Sequence, residues 1–192
     1  MTGRWRRVPR VAVPLLVGMG MAVAGCSSAS EGSGSAGALP GPVPSDAVFR
    51  DPPDDAPRAP SFELELLDGT PLDAGEQWSQ RPMVLVFFET WCEPCRDAQA
   101  GLNDLARDYQ DVVLFVGIAG RSEPENVRQY VSEYDVAYPV GIDQDDSRWL
   151  KYAVAEPPLV ALVSKDGRLV RGWPGGIGTA ELREHIDRLV LG

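Results

Sequence analysis

An α/β domain with a mixed central sheet covered on both faces is the fold class that this chain predicts, and three observations predict it. Met83 to Phe88 and Val112 to Ile118 are continuous apolar runs, as strands buried on both faces require. The segments between and after them carry apolar residues at helical spacing. A last apolar run, Leu159 to Val163, is followed by Asp166-Gly167 and then Arg168 to Arg171, which reads as a hairpin. Helices alternating with strands, then a closing hairpin and helix, give layers of helix on a mixed sheet.

Taken in order, Phe62-Glu63-Leu64-Glu65-Leu66 alternates apolar and acidic residues as a half-buried edge strand does, and Asp68-Gly69 turns it into an N-terminal β-hairpin. Ala98, Leu102, Leu105, Ala106 and Tyr109 keep helical spacing after the first buried strand. Ser122-Glu123-Pro124-Glu125 reads as a capping box opening a helix whose face is Val127, Tyr130, Val131 and Tyr134. Tyr138 to Ile142 is a short strand and Asp146 to Tyr152 a short helix. Thr179 is expected to cap the last helix, with Leu182, Ile186, Leu189 and Val190 on one side. Trp78 and Trp149 are expected in the core. No internal repeat is evident.

Three segments are distinguished along the chain. Arg4, Arg6, Arg7 and Arg10 form a basic start, and the apolar stretch from Val11 to Ala24 is too short for the ~20 residues of a spanning helix. Residues 1–25 therefore read as a signal peptide. Its end, Val23-Ala24-Gly25-Cys26, resembles a bacterial lipobox, which implies cleavage before Cys26 and lipidation of its sulfur. Ser/Gly-rich and then Pro-rich composition over 26–60 predicts a disordered tether. Residues 61–192 form one domain with length enough for a core.

Charge excludes some partners. Lysines and arginines number 18 against 28 aspartates and glutamates, a net charge of −10, and four of the basic residues belong to the leader. Such an acidic chain offers no basic patch for nucleic acid or for anionic lipid. Gly172 to Gly178 lacks the lysine and the glycine spacing of a phosphate loop.

The chemistry lies in Trp91-Cys92-Glu93-Pro94-Cys95, directly after a buried strand. Cysteines at i and i+3 share one face of a helix, close enough for a disulfide. At a helix start, free backbone N–H groups and the helix dipole favour the thiolate. A free cysteine titrates near pH ~8.5, and such sites lower it by roughly one to five units. Pro94 is tolerated in the first turn. With Cys26 assigned to the lipobox, Cys92 and Cys95 are the remaining pair of the three cysteines, and thiol–disulfide exchange is the expected reaction. A lone C-x-x-C could be half of a zinc site, but no second cysteine or histidine pair completes one, and no metal or organic cofactor is expected.

The WCEPC motif, Tyr152-Ala153-Val154 leading into Pro157-Pro158, and the Asp166-Gly167 hairpin resemble the thioredoxin fold. The lipobox, the Glu93-Pro94 dipeptide and the N-terminal hairpin narrow the resemblance to the TlpA/ResA/DsbE-like membrane-tethered thiol–disulfide oxidoreductases. Phe115-Val116-Gly117-Ile118-Ala119-Gly120 is similar to the actinobacterial DsbE/DsbF-like branch. The resemblance covers about residues 60–190. It implies that Cys92 is the more exposed, attacking cysteine and Cys95 the resolving one, and that Trp91 shields the pair. It also implies that Pro158 is a cis-proline facing the disulfide, with Pro157 and Leu159 beside it where an extended substrate lies. The chain departs from the family pattern at four places. Val86 stands where thioredoxin has a buried aspartate, and Ala98 where ResA-like reductases carry a glutamate. Ala100 replaces a helix-kinking proline, and Pro157 and Leu159 replace the β-branched residue and threonine common beside the cis-proline.

Glu93 and Glu89 are candidates for proton transfer, although a solvated carboxylate at the helix start is the plainer account of each. Glu93 also opposes thiolate formation by like charge. His185 reads as a surface or boundary residue of the last helix. Asp143, Asp145 and Asp146 lack the glycine and glutamate of a calcium loop and read as a turn and helix cap. The expected activity is extracytoplasmic exchange of the Cys92–Cys95 couple with protein thiols and disulfides, leaning to reduction. The expected partners include a membrane redox donor or acceptor, and the membrane itself through Cys26. A DsbE/DsbF-like thiol oxidase is the alternative direction. From other classes, a copper-binding chaperone would use the two sulfurs as soft ligands, and a non-catalytic binding lipoprotein would hold a static disulfide that thiol buffers do not reduce.

Overall fold

One strand sets the architecture. In the computed structural model, which describes residues 38–192, β3 (Met83–Phe88) is a run of six apolar residues, all buried. Successive side chains of a strand point to opposite faces. Val84, Val86 and Phe88 therefore enter one apolar layer, and Met83, Leu85 and Phe87 the other. A strand of this kind is stable only in the middle of a covered sheet. It pairs in parallel with β4 (Leu114–Ala119), Val86 opposite Gly117, and antiparallel with β6 (Leu159–Val163), Val86 opposite Val160. β5 (Val140–Ile142) joins β4 in parallel and β7 (Leu169–Pro174) joins β6 antiparallel, giving the order β5-β4-β3-β6-β7.

The first layer lies under α2 (Glu93–Asp108), α3 (Pro124–Glu133) and α5 (Thr179–Leu189), which contribute Leu102, Leu105, Val127, Tyr130, Leu182 and Ile186. The second is closed by Phe62, by the hairpin of β1 (Glu63–Glu65) and β2 (Pro71–Asp73), and by α1 (Ala74–Trp78) and α4 (Ser147–Lys151). The hairpin reaches the β5 edge through a bridge between Leu66 and Gly141. Tyr109 fastens α2 to α5: its hydroxyl donates to Asp187 at 2.6 Å, and Arg183 lies over its ring while pairing with Asp108. Burial, then the Asp187 carboxylate, push the Tyr109 phenol up to about 12. The mixed sheet with helices on both faces is the fold class expected from the apolar runs.

Local details differ from the sequence reading. Residues 1–37, with the expected signal peptide and Cys26, lie outside the described residues. Residues 38–60 form no helix and no named strand, as their composition dictates, yet they are docked on the domain. Ala59 N–H donates to Gly167 O at 2.9 Å, Leu169 N–H to Pro57 O at 2.8 Å, Arg50 N–H to Val190 O at 3.1 Å, and Phe49 bridges Leu191. A proline-rich stretch keeps its carbonyls even where it lacks N–H groups, and the β7 edge and the C-terminal segment provide donors for them.

The capping box before α3 does not form. Glu123 is the N-cap without a side-chain bond, because the Ser122 hydroxyl donates to Glu89 at 2.5 Å instead. Thr179 is the first residue inside α5 and Gly178 its cap. At Gly101 a Cβ would lie 2.5 Å from Thr179 Cγ2, so only glycine admits the two helices this close. His185 is buried rather than at the surface, its ring 5.1 Å from that of Trp173. The helix α1 was not expected, although Asp73 caps it by accepting from Gly75 and Glu76 N–H.

The aspartate cluster is a turn and cap, as read. Asp143, fully buried, accepts the N–H groups of Arg148 and Trp149 at 2.8 Å each and the Arg148 guanidinium at 3.1 Å. Asp143→Ala leaves two buried N–H groups without their acceptor, while the Arg148 guanidinium keeps Asp145 and Glu63 O, and should cost about 3 kcal/mol. In urea unfolding the midpoint should fall by roughly 1–3 M with little change in slope.

Candidate active site

β3 ends at Phe88, and four residues later the chain turns into α2. Cys92 N–H donates to Glu89 O at 3.1 Å, closing the turn, and Cys92 is the N-cap of the helix with extended backbone, φ −73° and ψ 109°. Its sulfur accepts the N–H of Cys95 at 3.1 Å. An amide donor of the helix terminus is therefore aimed at the Cys92 sulfur, an arrangement that favours negative charge there. The two cysteines are joined, with S–S 1.99 Å and Cα–Cα 5.3 Å.

Exposure differs from the family-based expectation. Cys92 is 2 % exposed and Cys95 4 %, so neither is the accessible one in the disulfide form. Both sulfurs belong to the apolar layer of Val86, Phe88 and Leu102. Trp91, the residue before Cys92, stands 68 % exposed.

The Pro157-Pro158 bond is cis. Pro158 is buried and shares with Cys95, Gln99 and Val86 a cavity of about 20 Å³. Together with Pro94, Ala98 and the 175–179 loop it also lines an open groove of about 520 Å³. Pro157 is half-buried and lines neither space. Leu159 is turned away: its side chain packs with Phe87 and Trp149 in the opposite layer, and Val160, one residue on, faces the disulfide layer. A residue of alternating strand geometry cannot present its side chain to both, so Leu159 leaves the site as a side chain. Glu89 is engaged by Ser122 and lies against Gly120, where a Cβ would be 2.0 Å from its Oε1. Glu93 is exposed in the first turn of α2. Neither carboxylate is hydrogen-bonded to a sulfur.

Two features of the site were not read from the sequence. Gln99, one turn after Cys95, is buried; its Oε1 accepts from Tyr138 at 3.1 Å and Tyr130 at 3.3 Å, and its Nε2 donates to Asn103 at 2.8 Å. A polar residue at an apolar helical position, between Cys95 and Leu102, was the available signal. Burial pushes both tyrosine phenols above their ordinary value. The second feature is Gly176, with φ +85° and a would-be Cβ 3.0 Å from Pro158 Cγ. Gly176→Ala should cost about 1–2 kcal/mol in backbone strain and slow exchange with a peptide disulfide roughly tenfold by displacing Pro158. Gly175→Ala, also at positive φ but with open space at its Cβ, should cost similar stability and less turnover; stopped-flow exchange and urea unfolding separate the two.

The thioredoxin-like architecture is shared with solved structures. MTB DsbF, described in mixed oxidized and reduced forms, is 29% identical with a TM-score of 0.62, over 67% of this chain and 94% of that one. A secreted Mycobacterium tuberculosis disulfide oxidoreductase homologous to E. coli DsbE is 27% identical with a TM-score of 0.58, over 67% and 96%. In sequence, the thiol-disulfide oxidoreductase ResA of Bacillus thuringiensis subsp. konkukian (strain 97-27) is 26% identical over 132 residues, 68% of this chain and 76% of the relative. The dithiol motif at the start of α2 and a family match spanning residues 56–171 agree on one conclusion: the chain belongs to the AhpC/TSA family.

Proposed function

We propose that this thiol-disulfide oxidoreductase works outside the cytoplasm, anchored through a lipid on Cys26, with Cys92 as the attacking and Cys95 as the resolving cysteine. The observation that carries the assignment is the amide N–H of Cys95 donating to Cys92 Sγ at the N-cap of α2. It favours negative charge on Cys92 and offers no equivalent donor to Cys95. In the reductase direction, Cys92 thiolate attacks one sulfur of a substrate disulfide, whose other sulfur leaves as thiolate and takes up a proton. Cys95, deprotonated, attacks Cys92 Sγ, and the second substrate thiolate leaves. Two electrons pass to the substrate and the enzyme ends as the disulfide seen here. A membrane redox donor then restores the dithiol.

The lean to reduction rests on WCEPC and the tether. The opposite direction, oxidation of protein thiols, rests on the resemblance of the sequence to the DsbE/DsbF-like branch. The equilibrium potential decides between them: a value near the −270 mV of thioredoxin supports the reductase, and one near the −120 mV of DsbA, a strong oxidant, supports the oxidase. Glu89 and Glu93, close to the dithiol in sequence, are assigned acid–base roles toward the thiols and the departing thiolates. Pro158, Pro157 backbone and Trp91 are assigned to the substrate surface.

Cys95→Ser should accumulate mixed disulfides through Cys92, seen as adducts on non-reducing gels that dithiothreitol dissolves, and Cys92→Ser should not. Adducts through Cys95 alone would reverse the roles. For the anchor, the support is the lipobox; among the described residues no helix is long and apolar enough to cross a membrane. Cys26→Ala should move the protein out of the membrane fraction, or stop its processing, with exchange activity kept. Retention in the membrane with unaltered mature mass would remove the lipid from this account.

A further inference from the structure

On the side of the disulfide away from Pro158 lies a polar pocket of about 200 Å³ between α2 and α3, built around Arg96. Five arginines among the described residues are buried or half-buried: Arg81, Arg96, Arg148, Arg168 and Arg183. Arg81 donates to the carbonyls of Asp111 and Gly41, Arg148 to Asp143 and Asp145, Arg168 to Ala56 O, and Arg183 pairs with Asp108. Among them Arg96 alone has no side-chain hydrogen bond and no ion pair. A guanidinium partly withdrawn from water without an acceptor is unfavourable, and an acceptor-rich ligand relieves it.

We infer that this pocket binds a carboxylate side chain, aspartate or glutamate, beside the reacting cysteine of the protein substrate. The inference rests on the exchange reaction with protein disulfides described above and names a recognition element for it. Arg96 follows Cys95 directly and Thr90 precedes Cys92 by two residues, so two of the residues lining the pocket flank the dithiol in the chain. A substrate held there as a mixed disulfide advances its flanking residues only ~3.3 Å each, which keeps the nearest side chains within reach. The other walls offer the amides of Asn126 and Gln129 and the hydroxyl of Tyr134, while the Thr90 hydroxyl is engaged with Ser122 at 3.3 Å. A guanidinium fork with amide and hydroxyl donors suits a planar anion with two acceptor oxygens.

Acidic groups around the pocket oppose this. Glu133 also lines the pocket, but it stands seven residues beyond Asn126 on α3, about 10 Å along the axis, and forms no ion pair with Arg96. Glu93 and Asp97 flank Arg96 on α2, and the whole chain carries a net charge of −10. An acidic substrate is therefore repelled at most registers and accepted at this one. The pocket reads where the carboxylate sits, not how acidic the partner is.

The test uses the full-length protein and three otherwise identical disulfide peptides bearing Glu, Gln or Lys on the residues flanking the reacting cysteine. The ratio of kcat/KM for the Glu peptide to that for the Lys peptide should be about ten or more. Arg96→Gln should bring that ratio to within twofold of one. Asn126→Asp, which adds a like charge to the pocket wall without touching Arg96, should lower it at least fivefold. A ratio near one in the unmodified protein would overturn the inference. So would an Arg96→Gln protein that slows all three peptides equally, since Arg96 would then act on the sulfurs. Failure to turn over any of the three would overturn the exchange reading itself, and this one with it.

Discussion

β3 has no polar face, and the placement of everything at the site follows from that. A strand buried on both sides needs partners on both edges, and its parallel partner β4 can be reached only by a crossover long enough to return the chain to the starting end. That crossover is α2, so the helix must begin where β3 stops. Cys92 thus falls on a helix N-cap at the carboxyl end of the sheet. The next crossover, from β4 to the parallel β5, obeys the same rule and starts α3 at the same end. Two helices starting at the same end bring Arg96 of the first and Asn126 of the second to a shared pocket.

The opposite side of the site is built by antiparallel pairing. β6 runs against β3, so its first residues, next to Pro158, arrive at the end where β3 finishes: Leu159 is opposite Phe87. β7 runs back beside β6 and delivers Gly175 to the same place, where its N–H donates to Pro158 O at 2.8 Å. Parallel and antiparallel neighbours of one strand therefore converge on the disulfide from two sides.

Much of this was legible in the residues. Continuous apolar runs marked β3, β4 and β6, and the dithiol spacing after a buried strand marked the reactive pair. What escaped depended on partners distant in sequence. Ser122 looked like a cap because Glu125 follows it by three, but its hydroxyl serves Glu89, 33 residues earlier. The proline-rich stretch looked like a tether because its composition cannot build a core, and nothing local reveals that Gly167 O accepts from Ala59, more than a hundred residues away. Two misses had local signals. Strand parity from Val160 places Leu159 on the other face, and Asp73 followed by Glu76 marks a helix start. The buried Gln99 was likewise signalled by its position on the apolar stripe of α2.

Among the described residues, no acid lines the cavity behind the disulfide. The cavity next to Cys95 is lined by Val86, Phe88, Leu102, Val160 and Ile177, with Gln99 contributing its one polar side chain besides cysteine. A carboxamide neither accepts nor releases a proton at ordinary pH, and this one is fixed by two tyrosine hydroxyls and Asn103. Ionising a thiol in such surroundings is opposed by desolvation. At Cys92 the balance differs, because a backbone N–H of the helix start reaches the sulfur. The two cysteines share a helix turn and a disulfide yet face unequal costs of becoming thiolates. That inequality supports attack by Cys92 first. It also ties the deprotonation of Cys95 to the open side of the site, where solvent, the departing substrate sulfur and the carboxylates proposed above are the groups able to take the proton.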